Sequence, residues 1–334
     1  MNTEMNSDQL PWFDNCQSTL IQAYNNQRLP HGIVIAAPNG SGKHLFAKTF
    51  IKSLMCKQTN SSFQHFCGQC QTCLLIEADT HPDFYLLDRL TDNKGKQKKS
   101  IGIDQVRNLT RKLVEMPQLG GWRVALVLSV SDLTTASFNA LLKTLEEPGQ
   151  KTLLLLLTDN LHTIPATVKS RCQIVQPELK TEILAPWLIQ QTNKDENLIL
   201  SALKSCFNAP IKTKYYLENN GYEIEQNFNQ SCDQVLTNQI TPQELIGQSN
   251  LALDQICDLL ANYYYQVERS ILIGSGISQY QQLPKKLPFQ LYGKVIEFNR
   301  AQFAGSNLQP NLQIQAILIQ WFEIGRKISN LSKS

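Results

Sequence analysis

The sequence predicts an α/β domain with a parallel sheet, followed by segments that are helical throughout. Four apolar runs of strand length alternate with stretches of helical periodicity, at residues 33–36, 84–87, 124–128 and 153–157. Strands that alternate with helices are typical of βαβ units, in which helices cover both faces of a parallel sheet. Beyond Pro177 only helical periodicity continues, so the second half of the chain is expected to be all helical.

The composition is that of an ordinary globular protein. The 334 residues are enough for two or three domains, and 42% of them are hydrophobic. The net charge of +3 is too small to indicate nucleic-acid binding by itself. The N-terminus lacks the pattern of a signal peptide and no long apolar run follows, so we expect a cytoplasmic protein without a membrane span. The nine cysteines then stay reduced or bind metal.

A glycine-rich loop joins the first predicted strand to the first predicted helix. It contains Gly40, Gly42 and Lys43, the residue types with which a P-loop turns backbone N–H groups and a lysine onto phosphate oxygens. Two positions depart from the pattern G-x-x-x-x-G-K-[ST], because Ala37 replaces the first glycine and His44 replaces the Mg²⁺-binding hydroxyl. Imidazole is a poor ligand for Mg²⁺, which prefers oxygen. The loop is therefore a degenerate P-loop that is expected to hold nucleotide weakly or not at all.

A second departure concerns the strand at residues 124–128. In P-loop ATPases the end of this strand provides an acidic Mg²⁺ ligand and often a second acid for the attacking water. Leu128 and Ser129 stand at those positions, and the nearest acid, Asp132, lies further on and precedes the next helix. The metal hydroxyl and the metal carboxylate are missing together, so the sequence predicts no intrinsic ATPase activity.

Cysteines with metal-ligand spacing follow the first predicted helix. Cys67, Cys70 and Cys73 form a tight triplet, and tetrahedral Zn²⁺ takes four such ligands. Cys56 is the leading candidate for the fourth ligand and His65 is the alternative. An iron–sulfur cluster fits less well, because the run does not continue with a fourth cysteine and proline. We therefore expect a structural zinc module at residues 56–73; three reduced thiols in a loop are the other interpretation.

Several motifs of the first half resemble those of the clamp-loader ATPases of bacterial DNA replication. These motifs are His81-Pro82-Asp83, Ile103-Asp104-Gln105-Val106-Arg107, residues 140–148 (ALLKTLEEP), Thr158-Asp159 and Ser170-Arg171-Cys172. The cysteine cluster is also similar to the zinc module of that family. The resemblance is dense over residues 30–177 and is weaker but continuous in the C-terminal part.

The resemblance implies a domain organisation, a role and partners. It implies an AAA+ module at residues 1–177, a small helical lid at 178–222 and a helical collar domain at 223–334. The lost Mg²⁺ ligands single out a subunit that does not hydrolyse ATP, rather than the ATP-hydrolysing tau/gamma subunit. The implied partners are the tau/gamma and delta subunits of a hetero-pentameric ring, with primed DNA and the sliding clamp bound through the complex. Such a subunit is an accessory part of DNA polymerase III, a DNA-directed DNA polymerase.

The resemblance also implies roles for Arg171 and Thr158. In a ring, Arg171 can reach the ATP of a neighbouring subunit and stabilise the charge that develops on the transferred phosphoryl group. The structural alternative is that Arg171 pairs with a carboxylate near the sheet edge. Thr158 stands where the family has a polar sensor of the γ-phosphate, and without metal ligands it is expected to satisfy only backbone groups.

Two other functions are compatible with parts of the sequence. An active ATPase of the tau/gamma type is favoured by Lys43 but opposed by His44, Leu128 and Ser129. A zinc-dependent nucleic-acid-binding protein would use the cysteines and the basic loop at residues 91–100, which contains Lys94, Lys96, Lys98 and Lys99. A run of charge is more often a solvated surface than a binding site, and this second alternative leaves the P-loop pattern unexplained.

Overall fold

The structure is a computed structural model that describes residues 10–58, 66–91, 98, 100–274, 278–303 and 310–331. The chain forms two compact units, Met1–Glu218 and Asn219–Ser334, which we call the first unit and the second unit. No helix in the described ranges is long and apolar enough to cross a membrane. The separation of the first unit into an AAA+ module and a lid stays a prediction.

The sheet of the first unit has five strands, all parallel. They are β1 (Gly32–Ala36), β2 (Phe84–Leu87), β3 (Arg123–Val127), β4 (Thr152–Thr158) and β5 (Gln173–Val175). Their order across the sheet is β2-β3-β4-β1-β5. The four predicted strands are confirmed. The fifth, β5, was not predicted, because three residues of which one is buried give no apolar run.

Helices cover both faces of the sheet, as predicted. They are α1 (Asp14–Asn25), α2 (Lys43–Met55), α3 (Gln71–Glu77), α4 (Ile103–Val114), α5 (Thr135–Glu146), α6 (Ala166–Lys169), α7 (Thr181–Thr192), α8 (Glu196–Ser205) and α9 (Pro210–Glu218). Side chains alternate along a strand, so Ile33 and Ile35 lie in one core with α1–α3 and α7–α9. Val34, between them, lies in the other core with α4–α6.

Two buried charged residues fix the connection between α4 and β3. The guanidinium Nη1 of Arg123 donates to the carbonyl oxygen of Leu113 at 2.6 Å. The Asp83 carboxylate accepts the backbone N–H groups of Gln118 and Leu119 at 2.8 and 2.9 Å. Hydrogen bonds with one charged partner are stronger than neutral ones. The aspartate of the His-Pro-Asp motif therefore has a structural role in holding this turn.

The second unit is helical throughout its described part. Its helices are α10 (Gly221–Leu236), α11 (Pro242–Ser249), α12 (Leu253–Ile273), α13 (Leu287–Phe303) and α14 (Pro310–Leu331). Its core centres on Trp321, whose ring packs edge-on against Tyr263 and Tyr264 with centroids 5.8 and 5.3 Å apart. The indole N–H of Trp321 donates to the carbonyl oxygen of Cys232 at 3.2 Å. The last helix is thereby anchored to α10 and α12.

A glycine on the last helix provides a test of this packing. A Cβ atom at Gly325 would lie 1.6 Å from the carbonyl oxygen of Leu236 on α10. We expect Gly325→Ala to destabilise the chain by about 1–3 kcal/mol or more, because a backbone group must move. The matched control is Gly293→Ala on α13, where a Cβ meets nothing within 4 Å. This substitution should raise the free energy of unfolding by about 0.5–1 kcal/mol, because alanine favours the helix more than glycine does. Urea unfolding followed by circular dichroism measures both, and equal unfolding midpoints would contradict the close α10–α14 contact.

Candidate functional site

The glycine-rich loop that the sequence predicts to be a degenerate P-loop lies between β1 and α2. Gly40 and Gly42 have φ angles of +77° and +87°, a region that residues with a Cβ rarely adopt. Gly42 is the residue directly before α2. The two glycines therefore give the loop the backbone conformation of a tight turn into a helix.

The N-terminus of α9 packs directly onto this loop. The carbonyl oxygen of Gly40 accepts the backbone N–H groups of Ile211 and Lys212 at 2.9 and 3.3 Å. A Cβ atom at Gly40 would lie 2.6 Å from the Cβ of Lys212. Gly40 is thus needed for the approach of α9 as well as for its own φ angle.

The segment before α1 covers another part of the loop. The indole N–H of Trp12 donates to the carbonyl oxygen of Ser41 at 2.8 Å. A Cβ at Gly42 would lie 3.2 Å from a Leu10 methyl group and 3.5 Å from Ile211. Ser41 is fully buried and its hydroxyl has no hydrogen-bond partner within the described structure. The loop is therefore enclosed by other parts of the first unit.

The P-loop lysine forms an ion pair inside the protein. Lys43 is only 3% exposed, and its ammonium group contacts the carboxylate of Asp159. A second, weaker acceptor is the carbonyl oxygen of Pro38 at 3.4 Å. Asp159 directly follows β4, which pairs with β1 so that Thr158 lies opposite Ala36. Asp159 belongs to one of the sequence motifs, but this contact was not predicted; the available signal was an acid directly after the strand beside the P-loop strand.

The positions that bind Mg²⁺ in active P-loop ATPases hold unsuitable groups. His44 is partly buried, and its pKa is lowered by burial and by the Lys43 charge, against the opposing effects of Asp159 and Asp88. This shift favours the neutral form of the imidazole. Leu128 packs against the apolar core. The Ser129 hydroxyl pairs with the hydroxyl of Ser131 at 2.9 Å.

The two remaining polar groups near these strand ends are used internally. The Thr158 hydroxyl donates to the carbonyl oxygen of Asn160 at 2.9 Å and accepts the N–H of the same residue at 3.1 Å. The Asp132 carboxylate contacts the Arg89 guanidinium at 3.2 Å. Burial raises the pKa of Asp132, with Arg89 acting in the opposite direction. Thr158 thus satisfies backbone groups as expected, but not only these, since its hydroxyl also lies 3.2 Å from the hydroxyl of Thr163.

Arg171 follows α6 and is held by three contacts. Its Nη2 lies 2.7 Å from an oxygen of the Glu146 carboxylate at the end of α5. Its Nη1 donates to the carbonyl oxygen of Thr167 at 2.8 Å and to the Ser170 hydroxyl at 3.2 Å. The side chains of Arg171 and Glu146 are 35% and 50% exposed. The ion pair considered as the structural alternative is therefore present, at a solvent-accessible position.

The four cysteines converge beside α3. Their sulfur atoms all lie within 4.8 Å of one another, and the residues are Cys56, Cys67, Cys70 and Cys73. Among the described residues this is the only group of three or more potential metal ligands that meet in this way. All four are free thiols rather than disulfides.

The geometry of the cluster fits a tetrahedral zinc ion. Ligands about 2.3 Å from a central ion lie about 3.8 Å apart, and the distances Cys56–Cys67, Cys56–Cys70 and Cys67–Cys73 are 3.6, 3.9 and 4.0 Å between sulfurs. Backbone N–H groups of Cys67 and Cys70 donate to the sulfurs of Cys56 and Cys67 at 3.4 and 3.2 Å, contacts that suit thiolates. His65, the alternative ligand, and Lys94, Lys96 and Lys99 lie outside the described residues.

Comparison with known proteins shows similarity to subunits of one bacterial DNA polymerase. The family described as "DNA polymerase III, delta subunit" matches residues 14–180. The DNA polymerase III subunit delta' of Escherichia coli K12 is 35% identical over 201 residues, which are 60% of this chain and 58% of that protein. The delta' subunit of Haemophilus influenzae is 31% identical over 219 residues, 65% of this chain and 64% of that protein. The matched region thus spans about three fifths of the length of these relatives.

More distant similarities involve gamma subunits. The gamma/tau subunit of Mycoplasma pneumoniae is 31% identical over 160 residues, 48% of this chain and 22% of that protein. A gamma subunit-related protein of known structure from Thermotoga maritima aligns over 92% of this chain and 99% of its own chain, with 17% identity and a TM-score of 0.47. This structural similarity is too low to support an inference. The family match and the curated relatives agree: the chain belongs to the family of DNA polymerase III delta-prime subunits.

Proposed function

We propose that this protein is a clamp-loader subunit of DNA polymerase III that helps to load the sliding clamp on primed DNA without hydrolysing ATP itself. The observation that supports this proposal most directly is the state of the P-loop. Its backbone is packed under α9, its lysine is paired with Asp159, and His44 and Leu128 stand at the metal positions. Gly40 and Gly42 remain, whereas the first glycine of the motif and the groups that bind Mg²⁺ are replaced.

The proposed partners are the tau/gamma and delta subunits, in a hetero-pentameric ring. Family membership supports this assignment, and the helical second unit is the proposed collar that holds the ring together. Primed DNA and the sliding clamp would be bound by the complex as a whole. An active ATPase of the tau/gamma type would need Lys43 to be free for phosphate, and the Lys43–Asp159 contact argues against it.

Arg171 is the proposed contribution of this subunit to catalysis in a neighbour. Its guanidinium is partly exposed, and Glu146, its partner, is half exposed. An ion pair in such a position stabilises the fold by only about 0–1 kcal/mol. Arg171 can therefore leave Glu146 and contact a phosphoryl group with little loss of stability. The contacts to Thr167 and Ser170 use the Nη1 group and limit the freedom of a long side chain, which favours accurate positioning.

Zinc at the four cysteines is the proposed structural cofactor of the first unit. The sulfur distances fit the ion, and the cluster joins the end of α2 to the start of α3. The ion pair of Lys52 on α2 with Glu77 on α3 ties the same two helices together. Zinc would supply cohesion here, since a small insertion cannot bury a core of its own.

We expect the purified chain to hydrolyse ATP no faster than buffer, because both Mg²⁺ ligands are absent. A coupled assay for phosphate release measures this, with Lys43→Ala as the matched control. Both proteins should give the same background rate. Steady turnover by the wild type that Lys43→Ala abolishes would contradict the proposed lack of activity.

We expect about one equivalent of zinc per chain purified without chelator. Cys67→Ser should lose most of this zinc and lower the thermal stability, whereas Cys172→Ser, outside the cluster, should keep it. Metal analysis by mass spectrometry gives the content. Wild-type protein with less than about a tenth of an equivalent would refute the site, and full zinc in Cys56→Ser would assign the fourth ligand to another residue, such as His65.

The decisive test of the proposed function concerns Arg171 in a reconstituted loader in which only the neighbouring site can hydrolyse ATP. Arg171→Ala should leave the isolated chain folded and slow DNA-stimulated hydrolysis at that site by up to about 10³–10⁵-fold, the range of arginine fingers in GTPases.

Two variants sharpen this test. Arg171→Lys keeps the charge but loses the planar fork, so it should remain slow. Lys180→Ala, which removes the cation of another exposed ion pair, should have no effect. If the neighbouring site runs at the wild-type rate with Arg171→Ala, the residue only forms the structural pair with Glu146.

A further inference from the structure

Lys43 needs an anionic partner for physical reasons that concern its position. It is the first residue of α2 and only 3% exposed. A helix N-terminus already carries partial positive charge, and a buried ammonium without a counter-charge is strongly destabilising. In an active P-loop the phosphate oxygens meet this need. Here a different group must do so.

The fold delivers one carboxylate to this lysine. β4 lies beside β1 in the sheet, with Thr158 opposite Ala36, so the residue after Thr158 is adjacent to the start of the loop. That residue is Asp159, and it contacts the Lys43 ammonium. The other acceptor near the ammonium in the described structure, the Pro38 carbonyl oxygen at 3.4 Å, is neutral.

The carboxylate reaches the loop from the protein surface. The Asp159 side chain is 61% exposed whereas the lysine is buried, so the carboxylate can be replaced without removing core packing. The hydroxyl of Ser41, in the same loop, is buried without a hydrogen-bond partner. The loop thus keeps one polar group, the Ser41 hydroxyl, without a partner in the described structure, while the Lys43 ammonium is paired with a carboxylate from the protein surface.

We propose that Asp159 is a resident anion of the P-loop: its carboxylate takes the place of a phosphate at Lys43, and its removal makes the loop accept a polyphosphate. The proposal deepens the proposed function, because it rests on a P-loop that no longer serves ATP hydrolysis. Trp12 and α9 pack against the loop backbone, whereas Asp159 neutralises the charge of Lys43. The loop then fails to bind phosphate because of this one contact, whereas the absent Mg²⁺ ligands account for the lack of hydrolysis. The groups that bind phosphate are themselves retained.

The test is anion-dependent stability of the full chain. Asp159→Asn keeps the side-chain shape but leaves Lys43 unpaired, so its melting temperature should fall by several degrees. Millimolar inorganic tripolyphosphate should restore most of this loss, whereas the wild type should not respond. The double variant Lys43→Met with Asp159→Asn should regain stability, because both charges are gone, and should not respond to tripolyphosphate.

Controls separate the loop from general effects. Glu77→Gln unpairs Lys52, another lysine of α2 with a carboxylate partner, and should show no rescue by tripolyphosphate. ATP without Mg²⁺ provides a second probe; rescue equal to that by tripolyphosphate means that the loop recognises only the phosphates. The His44 imidazole gives a spectroscopic signal, since its pKa should fall further in Asp159→Asn and rise again when the anion binds.

Three outcomes would overturn the proposal. The first is an Asp159→Asn variant as stable as the wild type, and the second is one that is destabilised but gains nothing from tripolyphosphate. The third is an equal response by the double variant, which would place the anion elsewhere. If Asp159→Asn does not fold, its refolding yield with and without tripolyphosphate decides in the same way. Failure of the proposed function is visible separately, as ATP turnover by the wild type.

Discussion

The burial of β4 on both faces and both edges is the constraint on which the first unit depends. All seven of its residues are buried, because it pairs with β3 and β1 and is covered by a helix layer on each side. A strand of this kind is apolar along most of its length, and between its two terminal threonines β4 consists of five consecutive leucines. Where it emerges beside β1, the first polar residues are Thr158 and Asp159. The position of the central strand therefore decides which side chains meet the P-loop.

Gly40 and Gly42 of the P-loop are required by the packing around them. In an ATP-binding loop, glycine allows the backbone to face phosphate. Here Gly40 lies under Lys212 and Gly42 lies against Leu10, each with a positive φ angle. The fold therefore requires glycine at both positions even though the Mg²⁺ ligands are absent. A glycine-rich motif alone is thus weaker support for catalysis than the metal ligands beside it.

Two basic side chains of the first unit, Lys43 and Arg171, each form an ion pair within the unit. Lys43 meets Asp159 inside the fold, and Arg171 meets Glu146 at the surface. The first pair includes a buried lysine, so separation of its partners is costly; the second is accessible and worth little. This difference fits the proposed roles, in which Lys43 stays paired inside the fold and Arg171 contacts a neighbouring subunit.

The sequence by itself determined four of the five strands, the degenerate P-loop, the absent Mg²⁺ ligands and the cysteine cluster. These features have local signals: apolar runs, motif spacing, and side-chain type at a given position. Tertiary structure alone decided the short strand β5, the cover formed by Trp12 and Lys212, and the partners of Lys43 and Arg171. Such contacts join residues that are far apart in the chain, so no sequence periodicity predicts them. They depend on the order of the strands and on which helices pack against each apolar face of the sheet.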